Sequence, residues 1–255
     1  MAFVGRTQAL SSLLAVVEEA SRGHARLVLV TGEAGIGKTT LIGAATTRAG
    51  LRVGWGTCAD AERAPAFWPW AAALRRLLGT LDPADAHTLT RTDTVELARL
   101  LPELAERGTE PTNHQLPADT GIARLRLFDA LARFLERLAQ HRATIVVLDD
   151  LQWADESSLQ LLRFVAQPYR PVPLVIIGAY RHDELGTRTA RSLAELAPYG
   201  ETVHLTGLTP QDVHDLVVAA FGIPTAERWA AEVHRRTGGH PLLRPPTCRA
   251  APGRR

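Results

Sequence analysis

The segment Gly32-Glu33-Ala34-Gly35-Ile36-Gly37-Lys38-Thr39 fits the pattern G-x-x-x-x-G-K-[ST] and constrains the fold more than any other stretch of the chain. It follows the apolar run Leu27, Val28, Leu29 and Val30, typical of a strand buried on both faces of a parallel sheet. It precedes a helical pattern over Thr39–Arg48. Glycines at 32, 35 and 37 let main-chain N–H groups curl around an anion without Cβ clashes. The helix that follows adds the positive end of its dipole. The candidate contacts of this phosphate loop are Gly32, Glu33, Ala34, Gly35, Ile36, Gly37, Lys38, Thr39 and Thr40. Lys38 is placed to reach the β- and γ-phosphates, and the Thr39 hydroxyl to ligate Mg²⁺. Composition singles out the same residue: the 29 basic residues are 28 Arg and one Lys, Lys38. A lone Lys among so many Arg marks a place where a compact ammonium is needed and a planar guanidinium will not fit.

Similar apolar runs recur at Thr144–Leu148 and Leu174–Ile177, with weaker ones at Arg52–Gly56 and Thr202–Leu205. Between them lie helical patterns at 7–22, 67–78, 94–106, 122–140, 157–166 and 188–196. Strands alternating with helices predict an α/β fold with a mainly parallel sheet, here of five strands, and the phosphate loop makes the expected form the three-layer P-loop NTPase fold. From Gly207 the texture changes. Thr209 and Pro210 open a helix with Val213, Leu216, Val217 and Ala220 on one face; Gly222-Ile223-Pro224 breaks it. A second helix follows over Thr225–Arg236, with Trp229 and Val233 inward. The expected division is a core over 1–206, a helical subdomain over 207–243 and an unstructured Arg/Pro-rich tail over 244–255. Pro83–His87 and Gly108–Pro117 read as loops.

The balance of 29 basic against 27 acidic residues gives +2, too even to argue for a nucleic-acid surface. Cys58 and Cys248 form neither a disulfide framework nor a zinc site, so a reducing cytoplasm is the expected setting. No apolar run approaches the ~18–20 residues of a membrane span.

A phosphate loop needs a carboxylate at the tip of a neighbouring buried strand to hold Mg²⁺. Ile145-Val146-Val147-Leu148-Asp149-Asp150 supplies four apolar residues and then two acids. Asp149 is the candidate for Mg²⁺ and Asp150 for orienting or deprotonating the attacking water. Asp155 reads instead as a helix cap. The 111 positions between Lys38 and Asp149 leave room for an additional strand and several helices. Leu174–Tyr180 ends in Arg181, at the sheet edge where a γ-phosphate can be sensed; an ion pair with Asp183 or Glu184 is the alternative. His182 reads as a solvated loop residue. The cluster Phe67-Trp68-Pro69-Trp70 reads as core or interface packing.

Phe3-Val4-Gly5-Arg6, the phosphate loop, Phe67-Trp68-Pro69-Trp70, Leu148-Asp149-Asp150-Leu151-Gln152-Trp153-Ala154-Asp155, Gly178-Ala179-Tyr180-Arg181 and Thr237-Gly238-Gly239-His240-Pro241 occur in this order. That series resembles the AAA-type ATPase domain of the signal-transduction (STAND) NTPases, over about residues 1–243. It is most similar to the N-terminal ATPase module of large ATP-binding LuxR-type transcriptional regulators. The resemblance implies Asp149 and Asp150 as the Walker B pair and Arg181 as the first-sensor arginine. It places Val4, Gly5 and Arg6 near adenine and ribose, with Pro241 closing over the base. For Val4 the alternative is plain packing, and for Gly239-His240-Pro241 a helix stop.

In that family further helical, winged-helix, repeat and helix-turn-helix segments follow. Here the pattern gives way to Arg/Pro-rich text after Leu243, as a truncated regulator would show, and direct nucleic-acid binding is not expected. The expected function is a slowly hydrolysing ATP·Mg²⁺ switch that binds ATP and ADP, with possible self-association through the ATPase domain. Arg188 and Arg191 are candidates for an arginine acting on a neighbouring subunit, against the alternative of exposed helix charges. Two rival readings stay open: an AAA+ ATPase of DNA-remodelling or origin-loading type, and a non-functional remnant with weak nucleotide binding.

Overall fold

The computed structural model of the chain describes residues 4–59, 64–107, 121–167 and 171–241. The loop expected over 108–117, Cys248, residues 242–243 and the tail 244–255 lie outside the described residues. Five strands form one sheet: β1 (Arg26–Gly32), β2 (Arg52–Thr57), β3 (Thr144–Asp149), β4 (Leu174–Tyr180) and β5 (Gly200–Leu205). Their order is β2-β3-β4-β1-β5, and every pairing is parallel. β2 is the additional strand between the two motifs in the chain, while β4 separates β1 from β3 in space.

Side chains alternate across each strand, and both faces are covered. Val28, Val30, Ile145, Val147, Val175 and Ile177 meet Leu10, Leu13 and Val17 of α1 (Thr7–Ser21) and Leu41 and Ile42 of α2 (Lys38–Ala49). On the opposite face Leu29, Val146, Leu148 and Ile176 meet α3 (Trp68–Leu78), α6 (Gly121–His141) and α7 (Glu156–Val165) through Leu74, Leu135 and Leu162. Burying one such side chain contributes about 1.5–3 kcal/mol. Three layers, helix on sheet on helix, result.

β2 reads weakly because glycine interrupts it, and the glycines have a packing reason. A Cβ on Gly54 would stand 2.5 Å from Leu77 Cγ, and one on Gly56 would stand 1.8 Å from the Pro69 carbonyl oxygen. α3 therefore lies closer to the strand than side chains would permit. In the aromatic cluster at its start Trp70 is fully buried and its Nε1 donates to the Ser158 carbonyl oxygen at 3.1 Å, whereas Trp68 is 42% exposed. Phe67 sets its ring edge-on to Phe128 at 6.1 Å.

Three local expectations need correction. Pro83–His87 is the first part of a helix, α4 (Pro83–Thr90), because Asp82 caps it by accepting from the Asp85 N–H at 2.8 Å and Pro83 suits the first helical position. The helix expected over 94–106 is split into α5 (Thr94–Leu97) and a 3-10 segment Pro102–Arg107, since Pro102 disfavours helical backbone just before it. Trp229 is 44% exposed rather than inward, with the Arg228 guanidinium 5.3 Å from its ring centroid, and Ala220 is exposed too. The buried apolar residues of α10 (Ile223–Thr237) are the small Ala226 and Ala230, because α10 packs close against Val213 and Val217 of α9 (Pro210–Phe221).

Thr209 and Asp212 form a reciprocal capping box at the start of α9. At the far end of α10, left-handed Gly238 and Gly239 bring the chain back to the linker before α9, where the Leu208 N–H donates to the Gly239 carbonyl oxygen at 2.8 Å. That return carries Gly-Gly-His-Pro to the edge of the sheet.

Asp155 caps α7: its carboxylate accepts from the Ser158 N–H at 2.9 Å and also from the Phe67 N–H at 3.2 Å. Asp155→Ala, which removes the acceptor of these two N–H groups and of the Ser158 hydroxyl, is expected to cost about 2 kcal/mol. Urea unfolding reads this, with Asp155→Asn recovering part of the loss.

Candidate functional site

Parallel pairing sets the carboxyl ends of all five strands along one edge, where ligands of open α/β sheets bind. β1 enters the glycine loop there. Gly35 (φ 72) and Gly37 (φ 102) adopt left-handed backbone that a Cβ disfavours. A Cβ on Gly32 would stand 2.7 Å from the Leu205 carbonyl oxygen. α2 begins at Lys38, so the N–H groups of Lys38, Thr39 and Thr40 open the helix without acceptors inside it. Main-chain donors and the helix dipole make this cradle suited to an anion.

Lys38 is only 6% exposed, and its Nζ donates to the carbonyl oxygens of Gly32 and Glu33, each at 2.8 Å. Burial pulls its pKa below the ordinary lysine value; the charge of Arg181 adds to this, and Asp150 and Asp149 oppose it. Thr39 Oγ1 donates to Asp149 Oδ2 at 2.9 Å across 110 residues of sequence. The two candidate metal ligands are thus in contact. Asp149 is 4% exposed, and its Oδ1 accepts from the Asp150 N–H at 3.0 Å. Burial lifts the Asp149 pKa above the usual carboxylate range, with the Thr39 hydrogen bond working the other way. Hydroxyl and carboxylate oxygens are the hard donors Mg²⁺ prefers, and they sit beside a cradle fit for phosphate.

Asp150 has left-handed backbone (φ 57). Its Oδ1 accepts from Gln152 Nε2 at 2.9 Å and lies 3.6 Å from Arg181 Nε. Gln152 Oε1 in turn accepts from the Arg181 N–H at 3.1 Å. The Arg181 guanidinium donates to Glu184 at 2.8 and 3.1 Å, which raises its pKa. Arg181 therefore makes the ion pair weighed for it and faces Asp150 as well. His182 is exposed, with its ring centroid 5.3 Å from that of His204.

Residues expected near the base gather on the other flank of the loop. Arg6 Nη2 donates to the carbonyl oxygens of Ile36 at 2.7 Å and Thr206 at 2.8 Å, and burial lowers its pKa. Gly5 lies so close to α9 that a Cβ would be 2.9 Å from Asp212 Cβ. Val4 and Pro241 are half-buried. His240 Nε2 meets the Ala34 carbonyl oxygen at 2.7 Å, so that nitrogen carries the hydrogen. Arg188 and Arg191 are exposed on α8 (Thr187–Ala194), 3.9 Å from Glu156 and 3.8 Å from Glu195 respectively.

The model of the AAA ATPase domain matches residues 2–177. The chain belongs to this family. No match was found among the curated proteins. Among solved structures the chain is similar to a Signal Transduction ATPase with Numerous Domains (STAND) protein with a tetratricopeptide repeat sensor from Pyrococcus horikoshii. The identity is 21% and the TM-score 0.56, over 94% of this chain and 28% of that one. The ORC2 protein of Aeropyrum pernix, in its ADPNP–ADP complexes, matches at 15% identity and a TM-score of 0.48, over 87% of this chain and 54% of that chain. RuvB of Thermotoga maritima matches at 13% and 0.43, over 92% and 64%. The chain thus spans less than two thirds of each of these proteins. The three-layer P-loop fold and the AAA-type ATPase module read from the motifs both stand, and membership of the family implies nucleotide binding.

Gln152 and His240 were not singled out by the sequence, although both lie inside quoted motifs. Besides Asp150, Gln152 meets Arg181, 29 residues away, and His240 meets Ala34, 206 residues away, separations that residue type alone does not reveal.

The raised Asp149 pKa has a pH signature. Between the usual Asp value of about 3.9 and its raised value in the folded chain, the unfolded chain loses its proton first. Stability then falls as pH rises, and the penalty is complete above the raised value. Relative to the non-titrating Asp149→Asn, the nucleotide-free wild type is expected to lose stability as pH rises from about 4. Unfolding by urea across pH 4–8 checks this; parallel curves contradict it.

Proposed function

We propose that the chain is the ATP-operated switch module of a bacterial signalling or transcriptional regulator, binding ATP with Mg²⁺ and hydrolysing it slowly. The observation that carries the reading is the 2.9 Å contact between Thr39 and Asp149 beside the loop that holds Lys38. Backbone N–H groups of residues 32–40 cradle the phosphates, and the Lys38 ammonium pairs with the β- and γ-oxygens. Thr39 and Asp149 hold Mg²⁺, which when bound neutralises charge on those oxygens. Asp150 takes the proton of the attacking water, and Arg181 senses the γ-phosphate from the end of β4.

Val4, Gly5, Arg6 and Pro241 line the base side, with residues 207–243 acting as a lid on the core of 1–206 and 244–255 as a tail. The regulatory role rests on the ordered motif series; the STAND protein with its tetratricopeptide repeat sensor shares the fold. Self-association through the ATPase domain, with Arg188 or Arg191 reaching a neighbouring subunit, belongs to the same reading, as does a cytoplasmic setting.

Calorimetric titration with ATP and Mg²⁺ tests the assignment. Lys38→Ala is expected to abolish binding, and chelation of Mg²⁺ to weaken it. Asp150→Asn is expected to keep affinity and lose turnover by roughly 10²–10⁴-fold. Unchanged affinity in Lys38→Ala contradicts the reading.

A further inference from the structure

We infer that Gln152 is a positioning residue for hydrolysis, its single amide group holding the Asp150 carboxylate in place and tying it to the end of β4 that bears Arg181. The inference rests on the proposed role of Asp150 as the group that takes the proton from water. Gln152 is 6% exposed, on the 3-10 turn Leu151–Trp153. Its Nε2 donates to Asp150 Oδ1 at 2.9 Å, and its Oε1 accepts from the Arg181 N–H at 3.1 Å. An ionised carboxylate only accepts and a backbone N–H only donates, so the two partners fix which end of the amide faces which.

The geometry leaves little choice of residue. Glu would set a carboxylate against Asp150, Asn is one methylene shorter, and an apolar side chain would leave the half-buried Arg181 N–H without its acceptor. Asp150 also sits in left-handed backbone (φ 57), conformation that persists where surrounding contacts hold it. Arg181 Nε lies 3.6 Å from the same Oδ1 that Gln152 holds. Asp150 Oδ1 is therefore hydrogen-bonded by Gln152 and faced by the Arg181 guanidinium, and a shift at the β4 end as Arg181 engages a γ-phosphate reaches Asp150 through the amide. Displacing a reacting group by about 1 Å can cost on the order of 10²-fold in rate, so this bond has a kinetic consequence.

The test compares wild type, Gln152→Ala, Gln152→Glu, Asp150→Asn and the double variant Gln152→Ala/Asp150→Asn. Each is measured for ATP affinity, single-turnover hydrolysis and, without nucleotide, hydrogen exchange at the Arg181 amide. Gln152→Ala is expected to speed Arg181 exchange and lower hydrolysis at least tenfold with affinity within about twofold, adding no further loss to Asp150→Asn. Gln152→Glu, which keeps an acceptor for Arg181 but repels Asp150, is expected to retain Arg181 protection while losing hydrolysis. Wild-type hydrolysis in Gln152→Ala, unchanged Arg181 exchange, or losses that multiply in the double variant overturn the inference. Wild-type turnover in Asp150→Asn overturns the underlying assignment of the base instead, and is told apart because Arg181 exchange reports the amide bridge alone.

Discussion

Two buried charges of opposite sign govern this structure. Lys38 opens α2 directly after the loop that follows β1, Asp149 ends β3, and burial displaces each toward its neutral form. Among the described residues neither has a full counter-ion in contact: Lys38 donates to two carbonyl oxygens, and Asp149 accepts from a hydroxyl and an amide. Such groups weaken a fold unless something of the right charge approaches them. On the proposed reading, polyphosphate and Mg²⁺ answer both deficits at once, and that is why ligand and fold are coupled. The sheet order makes the arrangement possible, since β4 between β1 and β3 spaces the loop from the Asp149 strand while parallel pairing keeps both ends level.

Around this centre the contacts fall into two sets. Gln152, Asp150 and Arg181 connect the ends of β3 and β4. Arg6 and His240 grip the carbonyl oxygens of Ile36 and Ala34 from outside the loop. Arg6 also holds Thr206, at the start of the linker to α9, and His240 follows the glycine pair that closes α10 back onto that linker. The loop and the α9–α10 pair are therefore joined by hydrogen bonds whose acceptors are loop carbonyls.

Much of the fold was readable because its signals are local. Leu27–Val30, Ile145–Leu148 and Leu174–Ile177 are continuous apolar runs because both faces of those strands are covered. β2 and β5 read faintly for physical reasons: β2 gives up side chains at Gly54 and Gly56 so that α3 can approach, and β5 is an edge strand with Glu201, Thr202 and His204 exposed. α4 was hidden by its own cap, as Asp82-Pro83 looks like a turn and begins a helix. Trp229 lies outward because the close α9–α10 packing uses alanine, Ala226 and Ala230, in place of a large side chain. At the site, Lys38 and Thr39 belong to one contiguous motif and Asp149 to a strand end, so each could be found by inspection. The Gln152–Arg181 and His240–Ala34 contacts join residues brought near only by the tertiary fold.

The most direct measurement is a crystal structure of the chain grown with Mg²⁺ and a non-hydrolysable ATP analogue. Phosphate oxygens within hydrogen-bond distance of the amides of residues 35–39, with Lys38 Nζ turned onto them and Mg²⁺ bound near Thr39 Oγ1 and Asp149, are the expected result. A loop with no phosphate in it at saturating analogue, and Lys38 still on the Gly32 and Glu33 carbonyl oxygens, would contradict the proposed site.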